Sequence, residues 1–199
     1  MAAGYRSCRS DQRGEDAMLR GVSTTSRPTA AQALQLGRRR FLSGERIDMS
    51  ALAEELGVNR VTLYRWYGSR EQFLVELIWS LARDTLDIAE RQTRTRGAKR
   101  IVTVVSRFLR DVITNPGMQR WLADEGEHAM RLLTRHETNF QPRLIAAVEA
   151  LLEAETAAGR LDLPVDLHEL AYVIVRLIES YTYLDLITGE QPDARRAEP

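Results

Sequence analysis

The segment Leu52–Leu74, LAEELGVNRVTLYRWYGSREQFL, constrains the fold more than any other stretch of this chain. Two short runs with helical apolar spacing are separated only by Gly57, Val58 and Asn59, a tight turn in which Asn59 can cap the second run. Leu52, Ala53, Leu56, Val58, Leu63 and Tyr67 fall on one inner surface and pin the two helices together, with Ala53 small where they cross. Arg60, Val61, Thr62, Tyr64 and Arg65 of the second helix then face outward. That is the helix-turn-helix pattern.

The flanking sequence supports helices throughout. A helix is expected from Pro28 to a stop at Gly44, a second over MSALAEEL after Asp48, a third over RVTLYRWY, and a fourth opened by Ser69 with Gln72 three positions on, running to about residue 94. Further helices are expected near 98–114, 117–135, 138–158 and 166–188, with breaks at Asn115-Pro116-Gly117, around Pro142, at Gly159 and at Leu163-Pro164. No segment alternates with period two, so the fold class is all-α. Residues 1–26 lack an apolar period and are expected to form a mobile tail, in which Met18 is an in-frame alternative start.

An outward helix of this width fits the major groove, where arginine reads guanine O6 and N7 and Val61 can meet a thymine methyl. Arg60, Val61 and Arg65 are the base-reading candidates. Thr62 and Tyr64 can donate hydroxyls to phosphate, and Arg70 lies in the first turn of the next helix, where free N–H groups also attract phosphate. Of Arg38, Arg39 and Arg40, one at most would face flanking phosphates, because consecutive helical residues point about 100° apart. Charge at first argues against nucleic acid: 28 basic and 28 acidic side chains cancel. The balance is a sum of unlike halves, with twelve arginines against nine acids through residue 80 and sixteen basic groups against nineteen acids beyond it. Lys99 is the only lysine, so any anion site must be built from guanidinium groups. The same two helices could also serve only to pack against a protein partner.

The string GVNRVTLYRWYGSREQFL resembles the recognition-helix signature of TetR-family transcriptional regulators, GVS-x-x-TLY-x-x-F-x-x-K-x-x-L, and the resemblance extends over residues 30–78. It implies an N-terminal three-helix helix-turn-helix DNA-binding domain, a C-terminal helical ligand-binding and dimerisation domain, and a homodimeric repressor released by a small-molecule effector. On that basis the chain divides into the tail at 1–27, a DNA-binding domain at 28–74 and a ligand-binding and dimerisation domain at 75–199. Carried over by position, Arg60 and Val61 read bases, Thr62, Tyr64 and Trp66 face phosphate, and Arg70 replaces the usual lysine. Asn59 for serine, Val61 for glycine, Trp66 for histidine and Tyr67 for phenylalanine depart from the pattern. Trp66 matters most, since an indole donates one hydrogen bond but does not titrate. More narrowly, GERIDM, TLYRWYGSRE and LIWSLA are similar to QsdR-like members linked to degradation of lactone quorum signals, which makes a lactone one candidate effector.

The expected last helix is apolar around nearly its whole circumference and must be buried on two sides, most simply by a second copy of the chain. A dimer interface is therefore expected from Leu144, Val148 and Leu151 on one helix and Ile174, Ile178 and Tyr181 on the next. An isologous dimer would set its recognition helices about 34–36 Å apart, matching a palindromic operator in double-stranded DNA. Trp79, Phe108, Trp121, Phe140 and Tyr172, with Met118, Met130 and Tyr183, are candidates to line a pocket for a small apolar or amphipathic effector, although any single one is more simply an ordinary core residue. His128 and His136 stand eight positions apart, about 12 Å along a helix, too far to share a metal. The acids of DEGEH, residues 124–128, fit a solvated helix start. No hydrolase, P-loop, zincin or dinucleotide fingerprint is present, so neither enzyme activity nor a cofactor is expected. A single cysteine (Cys8), no signal-peptide pattern and no run of eighteen apolar residues point to a cytoplasmic protein away from membranes.

Overall fold

A computed structural model describes residues 27–190; the expected tail over residues 1–26, with Cys8 and Met18, and residues 191–199 lie outside the described residues. Helix α1 (Ala30–Leu42) opens at a capping box in which Thr29 and Gln32 satisfy each other's backbone N–H groups. Pro28 therefore precedes the helix instead of starting it. Asp48 caps α2 (Met49–Glu55) by accepting from the Ser50 and Ala51 N–H groups at 2.7 and 2.9 Å. Asn59 caps α3 (Arg60–Tyr67) through the Val61 N–H at 2.8 Å. Between them Gly57 takes φ +65°, a left-handed backbone that costs a glycine little. Leu63 is fully buried and Val58 packs against the same core, so the two short helices are locked by the residues the spacing indicated.

Helix α4 (Arg70–Gln92) follows, with Ser69 accepting from the Gln72 N–H at 3.1 Å. Its first half supports α1–α3 and its second half packs along α5 (Ala98–Thr114). The expected domain boundary at residue 74 falls inside this unbroken helix, which makes α4 a shared beam about 35 Å long. Helix α6 (Pro116–Thr134) touches α1 as well as α5 and α7, and its backbone leaves helical geometry at Glu125 (φ −136°, ψ 31°). A 3₁₀ turn (His136–Thr138) leads into α7 (Phe140–Ala157), which lies along α8 (Leu167–Thr182). Pro142 does not break this region. It sits in the first turn of α7, where a missing N–H leaves no hydrogen bond unmade. The expected single helix at 166–188 is divided, because the backbone departs at Tyr183 (φ −107°, ψ 22°) and a short α9 (Leu184–Thr188) turns Leu186 onto Gly126 of α6.

One continuous core runs from Ala33 and Phe73 through Leu77 and Val104 to Leu133, Val148 and Val175. The α4–α5 connection is tied to the end of α7 by Glu155, only 2% exposed. Its carboxylate accepts from Gly97 N–H at 2.7 Å and from Arg160 at 2.8 and 2.9 Å, with Arg100 at 3.3 Å. Those donors, Arg160 foremost, hold its carboxyl down to about 2 against the burial that opposes ionisation. Among the described residues no helix is long and apolar enough to cross a membrane.

Candidate DNA-contacting surface and the cavity behind it

Helix α3 buries Leu63 and half-buries Tyr67, whose hydroxyl donates to the Ala30 carbonyl at 2.6 Å and whose ring meets Phe73 edge-on at 4.9 Å. That anchoring leaves Arg60, Val61 and Arg65 exposed, Val61 at 71%. Tyr64 accepts from Arg60 Nη2 at 2.8 Å, and the guanidinium lies 5.1 Å from the ring centroid. Tyr64 thus aims Arg60 in addition to presenting its own hydroxyl. Thr62, Arg65 and Trp66 line one open cleft with Asn59, Thr29 and Arg27. Arg27, the last residue of the expected tail, reaches this surface because α1 folds beside α3.

Arg70 is engaged within the protein itself. Its guanidinium grips the Glu125 carboxylate in bidentate fashion at 2.9 and 2.7 Å, while Nε donates to the Ile47 carbonyl at 3.0 Å. Arg46 reaches the same carboxylate at 3.3 Å. Arg70, first among these partners, holds the Glu125 carboxyl below the usual range. The DEGEH segment is therefore no solvated helix start: Glu125 lies at the α6 kink and ties it to the N-terminal helices. Four residues back, Trp121 is buried and meets Phe41 of α1 edge-on at 6.0 Å; four further back, a Cβ on Gly117 would lie 1.9 Å from the Phe41 carbonyl oxygen. Positions 117, 121 and 125 share one helical face, so α6 docks on α1–α4 along a continuous strip. Glu125 is 55 positions from Arg70, and no local spacing in the sequence marks the pair. Arg38 and Arg40 are paired with Asp84 and Glu55, which leaves Arg39 as the exposed member of its run.

Behind this strip lies a partly open cavity of about 80 Å³ bounded by α1, α4, α5, α6, α7 and α8. Phe108 and Phe140, and from the wider set Met118 and Tyr183, line it as expected. Trp79, Trp121 and Tyr172 do not. Trp79 stacks edge-on against Phe140 from outside at 6.1 Å, with Arg143 over its other side at 4.5 Å. Trp121 faces α1, and Tyr172 is 40% exposed on α8. The dimer candidates are also redistributed. Leu144, Val148, Leu151 and Ile178 are buried in the protomer's own core, because α7 and α8 pack on each other. Ile174 and Tyr181 remain half-buried, and the outward apolar residues of α8 are instead Val173 and Leu177, at 51% and 55% exposure.

Residues 96–199 match the family model described as "Tetracyclin repressor-like, C-terminal domain", half of the chain. The chain belongs to the TetR family. Over a longer stretch, this TetR-family transcriptional regulator is 27% identical over 172 residues to the HTH-type transcriptional regulator BetI of Agrobacterium fabrum, covering 77% of this chain and 84% of BetI. Its fold superposes on the solved transcriptional repressor QsdR of R. erythropolis, also TetR family, with a TM-score of 0.76 and 26% identity over 85% of this chain and 92% of QsdR. The N-terminal helix-turn-helix and C-terminal helical body are thus those of a TetR-family regulator.

Proposed function

We propose that this regulator binds a palindromic operator in double-stranded DNA as a homodimer and is released when a small apolar or amphipathic molecule fills the cavity. The observation that carries the DNA reading is the outward presentation of Arg60, Val61 and Arg65 on a helix that contains no acid. Arg60, Val61 and Arg65 read base edges; Thr62, Tyr64 and Trp66 hold phosphates, joined by Arg27. Arg70 acts through Glu125. The DNA-binding unit is residues 28–74 and the ligand-binding and dimerisation body begins at 75, with α4 running through both. A second copy covers Val173, Leu177, Ile174 and Tyr181 of α8, against the alanine face Ala146, Ala150 and Ala154 of α7, which permits close approach.

Release follows from the place of α6. Asn115 and Met118 line the cavity, while Gly117, Trp121 and Glu125 of the same helix dock on the DNA-contacting unit. A ligand that binds one setting of α6 better than the other shifts the separation of the two recognition helices through α4. No catalytic role is assigned, and the protein is expected to act in the cytoplasm. A lactone is one effector to try. The test is a gel shift with the DNA upstream of its own gene. Val61→Ala together with Thr62→Ala should abolish specific retardation at moderate salt, and retention of the wild-type shift would overturn the reading.

A further inference from the structure

The cavity's charged lining is all acidic. Among the described residues that line it, the charged ones are Asp111 and Glu179, and no arginine, lysine or histidine is present. The Thr85 and Thr182 hydroxyls donate to the Leu81 and Ile178 carbonyls, both at 2.8 Å, so what each can still offer is an oxygen lone pair. Asn115 has its oxygen engaged by the Met118 N–H at 3.0 Å, which leaves its amide N–H groups, with the Tyr183 hydroxyl, as the uncharged donors of the lining. Glu179 accepts from Gln141 at 2.8 Å and from Arg176 at 2.5 Å, which holds its carboxylate in place at 14% side-chain exposure. Each of its oxygens keeps a second acceptor site. Tyr183 is buried at the same end, where burial and then the Glu179 charge push its hydroxyl up, so it stays neutral. Asp111 sits exposed at the rim. The rest of the wall is hydrocarbon: Ile78, Leu81, Phe108, Val112, Leu144 and Ile178 among others.

Resting on the reading of this cavity as the effector site, we infer that the effector is an amphiphile whose polar end donates hydrogen bonds, an ammonium or an amide, and that free carboxylates are turned away. An apolar tail fills the hydrocarbon wall, as is usual for small-molecule sites. A donating head meets the Glu179 and Asp111 carboxylates and the threonine oxygens. A carboxylate head would meet the exposed Asp111 carboxylate and Glu179, already paired with Arg176, and no unpaired cation, an arrangement that disfavours its binding.

The experiment compares three probes with one tail length, octylamine, octanamide and octanoate, by calorimetry on the full chain, with Trp79 fluorescence as a second readout because its ring touches the cavity wall through Phe140. Octylamine or octanamide should bind at least tenfold more tightly than octanoate, and Glu179→Gln and Asp111→Asn should each narrow that gap by threefold or more. The rim position of Asp111 keeps the second variant informative if the first perturbs packing. Octanoate binding as tightly as either donor, or a gap unchanged in both variants, overturns the inference. A gel shift without any probe reports DNA binding separately, so loss of the ligand preference and loss of the regulator reading are told apart.

Discussion

The Arg70–Glu125 link gives the sharpest test of how the two parts communicate. The perturbation is a double-mutant cycle of Arg70→Met and Glu125→Gln, both close in size to the originals. Two charge-assisted bonds at 2.9 and 2.7 Å join side chains that are 23% and 16% exposed. An exposed ion pair contributes ~0–1 kcal/mol, whereas breaking a fully buried one costs ~3–5 kcal/mol. This half-buried, bidentate pair should therefore contribute about 2 kcal/mol. In urea unfolding each single variant should lose about that much, and the double variant little more than either, leaving a coupling energy of about 1–2 kcal/mol. If the pair is made in only one of the two dimer shapes, both singles should shift the effector concentration for half-release by a similar factor, up to about 30-fold for 2 kcal/mol. The salt dependence of DNA binding separates this from direct phosphate contact. As an interdomain link, Arg70 leaves the salt slope unchanged on substitution; as a phosphate ligand, Arg70→Met alone lowers it by about one unit and Glu125→Gln does not. Additive singles in unfolding, or a slope that falls only with Arg70→Met, would refute the link. Proton linkage adds a check on sign. With its folded-state carboxyl held low, Glu125 contributes stability above the ordinary carboxylate range and loses it as pH falls through the lowered value, so Glu125→Gln should flatten the acid limb of the stability curve.

Four further outcomes are expected. Arg60→Ala should weaken operator binding by about 1–3 kcal/mol and relax preference at one base position, read by binding to a randomised operator library. Leu177→Asp, on an outward position 55% exposed in the protomer, should yield a folded monomer by light scattering; a stable dimer would remove α8 from the interface. Gly117→Ala should destabilise by about 1–2 kcal/mol in urea, the clash with the Phe41 carbonyl outweighing the better helix propensity of alanine. Glu155→Gln should cost about 1–3 kcal/mol at neutral pH, because the Gly97 N–H and Arg160 lose a charged acceptor. In the wild type that contribution is complete above the unfolded carboxylate range and fades as pH falls toward the folded value of about 2.

The helix-turn-helix was legible because its information is local. A cap at Asn59, a left-handed Gly57 and apolar residues at fixed offsets determine which side of α3 faces out, and no distant residue can change that. The same locality explains what was missed. Sequence periodicity shows that α8 is apolar all round, but it does not say which arc meets α7 and which a second copy. Leu144, Val148, Leu151 and Ile178 were therefore expected at an interface although they belong to the protomer core. Aromatic residues gave a poor guide to the cavity for the same reason. Phe108 and Phe140 face it, while Trp121 turns to α1 and Tyr172 to solvent, a difference set by helix rotation within the bundle. Arg70 followed its motif position in sequence and a residue 55 positions away in space.

The distribution of charge completes the argument for the α3 surface. Net charge is zero, and the excess of three arginines through residue 80 is too small to mark a DNA-binding head by itself. In the folded chain, however, Arg38, Arg40, Arg46 and Arg70 are all paired with carboxylates: Asp84, Glu55 and, for the last two, the shared Glu125. Two of those acids, Asp84 and Glu125, come from beyond residue 80, so the acidic body neutralises the sides of the head that face it. Among the described residues, Arg27, Arg39, Arg60 and Arg65 stay exposed and make no carboxylate pair, and α3 itself contains no acid. Positive charge is thereby cancelled where the head meets the body and kept where α3 faces outward. A weakly charged protein arranged in this way gains little from non-specific attraction to DNA and depends on a few directed contacts. Neutralising Asp84 and Glu55 together should raise affinity for random DNA more than for the operator, and an equal rise for both would show that the acids do not sharpen selection.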